Sequence, residues 1–273
     1  MNGLIERQFA KMGARVQMRP PDSSRRFRRA GQRVDPPAIR LDVVNDRRGE
    51  CFDICVDESR AKIEILDVRP RQRHLLLMSR DLRSGAKEKF LCGHDERHWF
   101  VAAIPPGSAS NVLGAMEALK PTGVRAEVAR RGVRTKLRNR RRNPAFVRQG
   151  EWFFVPAGEL VVSDLQVFRN EPLRRGSGKP HVVDFLVRRG GVTVYVSSRY
   201  PNGLTVEQYQ ALIKEQPGAR SWGWQVMRRD AEVYVKGRVR HADHRTIVLD
   251  CWHRVLLNRE TDAPAMEHVA FLD

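Results

Sequence analysis

Residues 39–68 read IRLDVVNDRRGECFDICVDESRAKIEILDV, three apolar runs separated by short charged turns. Ile39 to Val44, Cys51 to Val56 and Ala61 to Val68 each have the length of a strand. In the third, Ala61, Ile63 and Ile65 point one way while Lys62, Glu64 and Leu66 point the other, a period of two. The pattern continues at His74 to Ser79, Glu88 to Cys92, His98 to Ile104 and Glu151 to Val155. It resumes at Leu160 to Phe168, Val182 to Val187, Val192 to Ser197, Ala231 to Val239, Thr246 to Asp250 and His253 to Leu257. Strand and helix do not alternate regularly, and no repeat of 20 to 50 residues is visible. The expected class is α+β, predominantly antiparallel sheets with a few packing helices and a disordered basic N-terminal arm.

Helices are expected at four places. A short one covers Leu4 to Met12. A second follows a cap at Ser108 or Ser110 and ends at Lys120-Pro121, because proline cannot donate to the preceding turn. The third runs from Val124 to Arg138, with Ala126, Ala129, Val133 and Leu137 on one face and arginines on another, interrupted only by Gly132. The fourth starts at Thr205, where Gln208 completes a capping box, and continues through Glu215. Gly190-Gly191 reads as a tight hairpin turn. Together these divide the chain into a Pro/Arg-rich arm (1–38) with the ordered core starting near Ile39, an α+β domain ending in a basic helix (39–142), and a β-rich domain (143–273).

The chain has 273 residues, and 50 Lys and Arg against 32 Asp and Glu give +18. This excess is directional. Arg125, Arg130, Arg131, Arg134, Lys136, Arg138, Arg140, Arg141, Arg142 and Arg148 face only Glu127, so residues 125–148 hold +9. A second basic stretch, with Arg25, Arg26, Arg28 and Arg29 among Pro20, Pro21, Pro36 and Pro37, has too little apolar surface to offset the entropy of ordering. Arginine's planar fork grips two phosphate oxygens or stacks on a base, which favours RNA or DNA over a diffuse membrane attraction. An acidic protein or a nucleoprotein assembly is the other partner such a surface fits. No run of 18 apolar residues and no signal-peptide stretch is present, so transmembrane insertion is not expected and the location reads as intracellular, cytoplasmic or nucleoid-associated. Four cysteines in a chain this long read as thiols.

Two histidine clusters carry candidate chemistry. In Cys92-Gly93-His94-Asp95-Glu96-Arg97-His98, residues 92, 94, 96 and 98 share one parity of a regular strand, but the order is not a zincin motif. In the second, His241, Asp243, His244 and His253 are the candidate catalytic set. Three imidazoles, His241, His244 and His253, are the candidate ligands for a divalent metal, and Asp243 could orient a histidine as general base. Gly176-Ser177-Gly178-Lys179 lacks the order of a phosphate loop, with Pro180 where a helix should begin. Arg174, Arg175, Lys179 and His181 are candidate secondary phosphate contacts. Of the aromatic residues Phe146, Trp152, Phe153 and Phe154, most are expected in the core.

The preferred reading is nucleic-acid binding through the Arg-rich helix and the arm, as a structural or accessory component of a nucleoprotein process, with no cofactor. Its alternatives are a phosphodiester-cleaving nuclease built on the histidines, metal-dependent or metal-free, and a docking module for an acidic protein.

Overall fold

The computed structural model describes residues 2–21, 27–29, 32–34, 37–107, 109–175, 178–264 and 266, with only the backbone of Asn2, 27–29 and 32–34. In chain order the elements are α1 (Asn2–Lys11), β1 (Val16–Arg19), β2 (Phe27–Arg29), β3 (Gln32–Val34), β4 (Ile39–Asp46), β5 (Gly49–Val56), β6 (Ala61–Arg69), β7 (His74–Asp81), β8 (Lys87–Asp95) and β9 (His98–Ala103). Then come α2 (Val112–Ala118), α3 (Thr122–Arg130), β10 (Arg142–Asn143), β11 (Phe146–Gln149), β12 (Trp152–Pro156), β13 (Phe168–Leu173), β14 (His181–Arg189), β15 (Val192–Ser197) and β16 (Tyr200–Thr205). The chain continues through α4 (Val206–Glu215), β17 (Gln225–Arg229), β18 (Glu232–Arg240) and β19 (Ile247–Leu257). This is an α+β fold. Every described strand pair is antiparallel except β1 beside β5.

Strands β6-β7-β8-β9 form a four-stranded sheet covered on both faces. Leu75 and Leu77 alternate with Leu76 along β7, as a period of two requires, and all three are fully buried. Leu75 and Leu77 meet α1 and the sheet β1-β5-β4 through Ile5, Phe9, Leu41 and Ile54. Leu76 meets Val112 and Ala115 of α2 on the other side. The ordered core therefore starts at Ile5 rather than at Ile39. Ile5, Phe9 and Met12 recur at helical spacing and are each buried, and each such side chain contributes roughly 2 kcal/mol of burial. Arg15 and Arg19, counted with the basic arm, are paired with Asp46 and Asp53 of the first sheet. Arg25 and Arg26 lie outside the described residues, as do the side chains of Arg28 and Arg29.

The second half is a seven-stranded sheet in the order β10-β11-β12-β19-β18-β14-β13. Phe154, Val183, Leu186, Val235 and Val239 fill one face. Phe146 and Phe153 pack on Val124 and Val128 of α3 on the other. Several expectations change here. The basic helix stops at Arg130, because Gly132 adopts φ 57° and a Schellman motif forms, Val133 N–H donating to Val128 O at 3.1 Å and Gly132 N–H to Ala129 O at 3.0 Å. Residues 160–167 hold no strand but a single 3₁₀ turn at Asp164–Gln166, with the strand starting at Phe168, and Ile247–Leu257 form one strand instead of two. Gly190-Gly191 is not a hairpin turn. It hands the chain from the large sheet to a separate one, β16-β15-β17, and a Cβ on Gly191 would lie 2.6 Å from Arg229 O. The helix cap before α2 is Asn111, whose Oδ1 accepts from Gly114 N–H at 2.9 Å. All four cysteines are free thiols. Among the described residues, no helix is long and apolar enough to cross a membrane.

Candidate functional site

The β18–β19 turn carries His241, Asp243 and His244 at one end of two inner strands of the seven-stranded sheet. His181 is the first residue of β14, one position beyond the Val182–Arg240 pair, so antiparallel register places it across from His241. The rings of His181 and His241 stack at 4.2 Å, and those of His241 and His244 lie 4.7 Å apart. One donor atom from each of His181, His241 and His244 falls within 4.8 Å of the others. Gly150, in the β11–β12 turn at φ 55°, borders the cluster, and a Cβ there would meet His244 Nε2 at 3.0 Å and His181 Nε2 at 3.7 Å.

The turn is held from several sides. Gln149 donates to Arg245 O at 2.7 Å, and Arg245 N–H donates to Glu96 of the β8–β9 turn at 2.6 Å. His241 Nδ1 accepts from Asp243 N–H at 3.1 Å, which leaves the ring proton on Nε2, facing Lys179 O at 3.2 Å. Asp243 binds Lys179 at 2.8 Å, and that hydrogen bond holds its carboxyl below the usual range. His181 is 2% exposed, and neither of its ring nitrogens has a hydrogen-bond partner among the described residues. Burial, reinforced by the two neighbouring imidazoles, pushes its pKa down to about 3, so the ring is a neutral donor at any physiological pH. A polar atom left bare in the interior costs about 1–3 kcal/mol, and coordination of an ion would offset it. Three imidazoles could coordinate a divalent metal, most naturally zinc or a similar borderline ion. A tetrahedral site needs nitrogens about 3.3 Å apart, so the rings would close by rotation, and His241 would give up its contact with Lys179 O.

The cluster opens on a cavity of about 320 Å³ between the two halves of the chain. Trp99, Phe100 and Met116 give it an apolar wall, and His98, Arg148, Arg175, Lys179, Asp243 and His244 give it polar ones. His98 Nδ1 lies 2.6 Å from Glu50 Oε1, whose other oxygen accepts Trp99 N–H at 2.9 Å. Arg175 is paired with Glu260 at 2.6 Å. The two histidine segments of the sequence thus meet in space.

Other expected residues go elsewhere. His253 is buried in the middle of β19, opposite Val235, with Nδ1 on Cys251 O at 2.8 Å, and it is not a member of the cluster. Its place is taken by His181, which the sequence marks only as a phosphate contact. The Cys92 to His98 set does not assemble, since a turn sends His98 back along β9, Cys92 is fully buried with its thiol pushed up by burial, and His94 packs edge-on against Trp99.

Several members of the 125–148 arginine run are engaged internally. Arg130 and Arg131 both bind Glu127, which the Arg130 contact above all holds down to about 2. Arg141 binds Asp95 and Glu96, Arg138 donates to Val133 O at 2.9 Å, Arg142 to Val248 O at 3.2 Å, and Arg148 lines the cavity near Asp95. Arg130, Arg131, Arg138 and Arg142 stay exposed despite these contacts, and Arg125, Arg134, Lys136 and Arg140 are exposed and in no ion pair among the described residues; Arg174 is exposed as well. Comparison with known protein families, with curated proteins and with solved structures finds no match for the chain.

Proposed function

We propose that the chain is a metal-dependent, phosphodiester-cleaving nuclease whose site is the cavity edge formed by His181, His241 and His244. One observation carries the reading, the buried and unpartnered imidazole of His181 stacked on His241 at 4.2 Å beside a charged cavity. A bound divalent ion would supply a Lewis acid and lower the pKa of a coordinated water. Arg148, Arg175 and Lys179 line the cavity paired with Asp95, Glu260 and Asp243, so a phosphate would reach them by displacing those carboxylates. Hydrolysis forms one P–O bond to the attacking oxygen and breaks another, and the leaving oxygen takes up a proton. His98, oriented through Nδ1 by Glu50 and lining the same cavity, is the group placed to exchange that proton.

The test is metal content of the purified full chain by mass spectrometry, with cleavage of labelled RNA and DNA in Zn²⁺, Mn²⁺ or Mg²⁺ and in EDTA. One ion per chain, lost with activity in His181→Ala, His241→Ala and His244→Ala but retained in His253→Ala, is the expected result. A chain that takes up no ion and cleaves nothing would end the proposal.

A second reading, nucleic-acid binding without cleavage, is favoured by the exposed Arg125, Arg134, Lys136 and Arg140. With the other arginines held in internal contacts, these four would give a logarithmic salt slope of roughly −4 on duplex DNA, where the ten-residue run alone implies about −9. The same side chains would serve an acidic protein partner, which nuclease-treated material would still bind when RNA and DNA probes fail. An intracellular location, cytoplasmic or nucleoid-associated, suits either activity.

A further inference from the structure

Between β14 and β18, the sheet β16-β15-β17 and α4 form a lobe, residues 192–229, with almost no core. Of its residues only Val194, Ser197 and Ala219 are buried. Its rings stack on one another at the surface instead. Tyr195 and Tyr209 stack at 3.9 Å, and Tyr200, Trp222 and Trp224 form a half-buried group with centroids 5.7 to 6.3 Å apart. Those three rings lie within 15° to 26° of parallel. Core rings of the same protein do not, since Phe9–Phe52, Phe52–Trp99 and Phe146–Phe153 cross at 56° to 69°. Tilted rings fill a core, whereas near-parallel, half-exposed faces are what a stack of planar ligands requires.

The charge of the lobe narrows the ligand. Residues 192–229 hold five basic side chains against two acidic ones. The Arg199 guanidinium lies 4.1 Å over the Trp222 ring, so its charge is already beside the aromatic group. Arg228 is held on Gly190 O, a contact that leaves its positive charge in place, while Arg229 is held on Asn202 O with Asp230 beside it. Planar rings next to arginines match alternating bases and phosphates.

We propose that this lobe binds single-stranded nucleic acid, with the near-parallel rings of Tyr200, Trp222 and Trp224 stacking on bases and Arg199, displaced from the Trp222 face, contacting the backbone. The site does not depend on the metal cluster. Duplex DNA hides its base faces, so the lobe discriminates against it.

The experiment uses the full chain in EDTA, which separates binding from cleavage. Fluorescence anisotropy compares an oligothymidylate of about 20 nucleotides, an abasic oligomer of equal length and charge, and a duplex, over a salt series, with tryptophan emission read in parallel. Expected are quenching by the oligothymidylate and affinity about tenfold above that for the abasic and duplex probes. Trp222→Ala removes about tenfold of that affinity, while Trp222→Phe, which keeps a ring, stays within about threefold of wild type. Equal affinity for the abasic probe, an unchanged oligothymidylate affinity in Trp222→Ala, or comparable binding of a neutral β-glucan would overturn the proposal. The abasic comparison needs only wild-type protein, so it stands even where Trp222→Ala unfolds the lobe. Loss of the metal site in His181→Ala leaves these affinities intact, so either proposal can fail alone.

Discussion

His181 and Trp222 are both polar-edged rings in ring clusters, yet they are held in opposite ways. The neighbours of His181 come from β11–β12, β14 and the β18–β19 turn, and its site is completed by the β8–β9 turn of the other half. The ring and guanidinium partners of Trp222 come from residues 199–224. A site assembled from distant strands inherits the stability of the cores that hold those strands, while a local lobe stands or frays by itself. The cavity therefore suits a group whose donor atoms must stay fixed to within tenths of an ångström. The lobe suits a ligand that tolerates adjustment.

The sharpest way to break this contrast is a core change in each region. Phe154 is fully buried in the seven-stranded sheet, and Phe154→Ala is expected to cost about 3–5 kcal/mol in urea unfolding and to abolish metal uptake. Val194→Ala in the lobe removes two methyl groups, costs about 1.6 kcal/mol, and leaves metal uptake unchanged. Equal effects on metal from both would mean that the two regions are one cooperative unit.

Acid dependence sharpens the comparison next. The folded-state pKa of His181 is lowered to about 3, so between the unfolded value near 6.5 and that figure the unfolded chain binds the extra proton. Its contribution to stability is present above about pH 6.5 and is lost as pH falls toward 3. Buried His74 and His253 are shifted in the same direction, desolvation being the main cause. In EDTA, His181→Gln should flatten the acid limb of the unfolding free energy by up to about 1.4 kcal/mol per pH unit. An unaltered limb would mean that His181 titrates normally.

Two glycines in the left-handed region give a smaller and cleaner test. Gly132 at φ 57° has open space where a Cβ would go, whereas the same atom on Gly150 meets His244 and His181. Gly132→Ala and Gly150→Ala should each cost about 1–2 kcal/mol of backbone strain, but only the second should lower metal affinity, measured by competition with a zinc indicator. The smallest effect belongs to the lobe. Thr205 Oγ1 accepts from Gln208 N–H at 3.3 Å and Gln208 returns a contact to Thr205 N–H at 2.9 Å, so Thr205→Ala should cost about 1 kcal/mol, seen as faster hydrogen exchange in α4.

That capping box was legible because every atom of it lies within four residues. The same holds for the strand alternation of β4 to β9 and for the end of α2 before Pro121. Gly190-Gly191 was misread for the opposite reason. Two glycines permit a tight turn, but whether the next strand folds back or joins another sheet depends on what lies beside it, here Arg229 and Ala231. Gly132 carried the signal that ends α3, and the regular arginine spacing beyond it hid that signal. Within the site, His241, Asp243 and His244 were legible from their spacing in one turn. His181 was not, since it lies 60 residues earlier and reaches His241 only because β14 pairs with β18.

The sequence by itself determined the α+β class, most strand positions, the position of the capped helix α4 and the net charge of +18, because periodicity, capping and composition act over a few residues. Only the tertiary structure decided which histidines meet, which arginines are held in internal contacts and which rings stay at the surface. Those outcomes depend on strand order and burial, and strand order is fixed by the packing of apolar faces across the whole chain rather than by any short stretch of it.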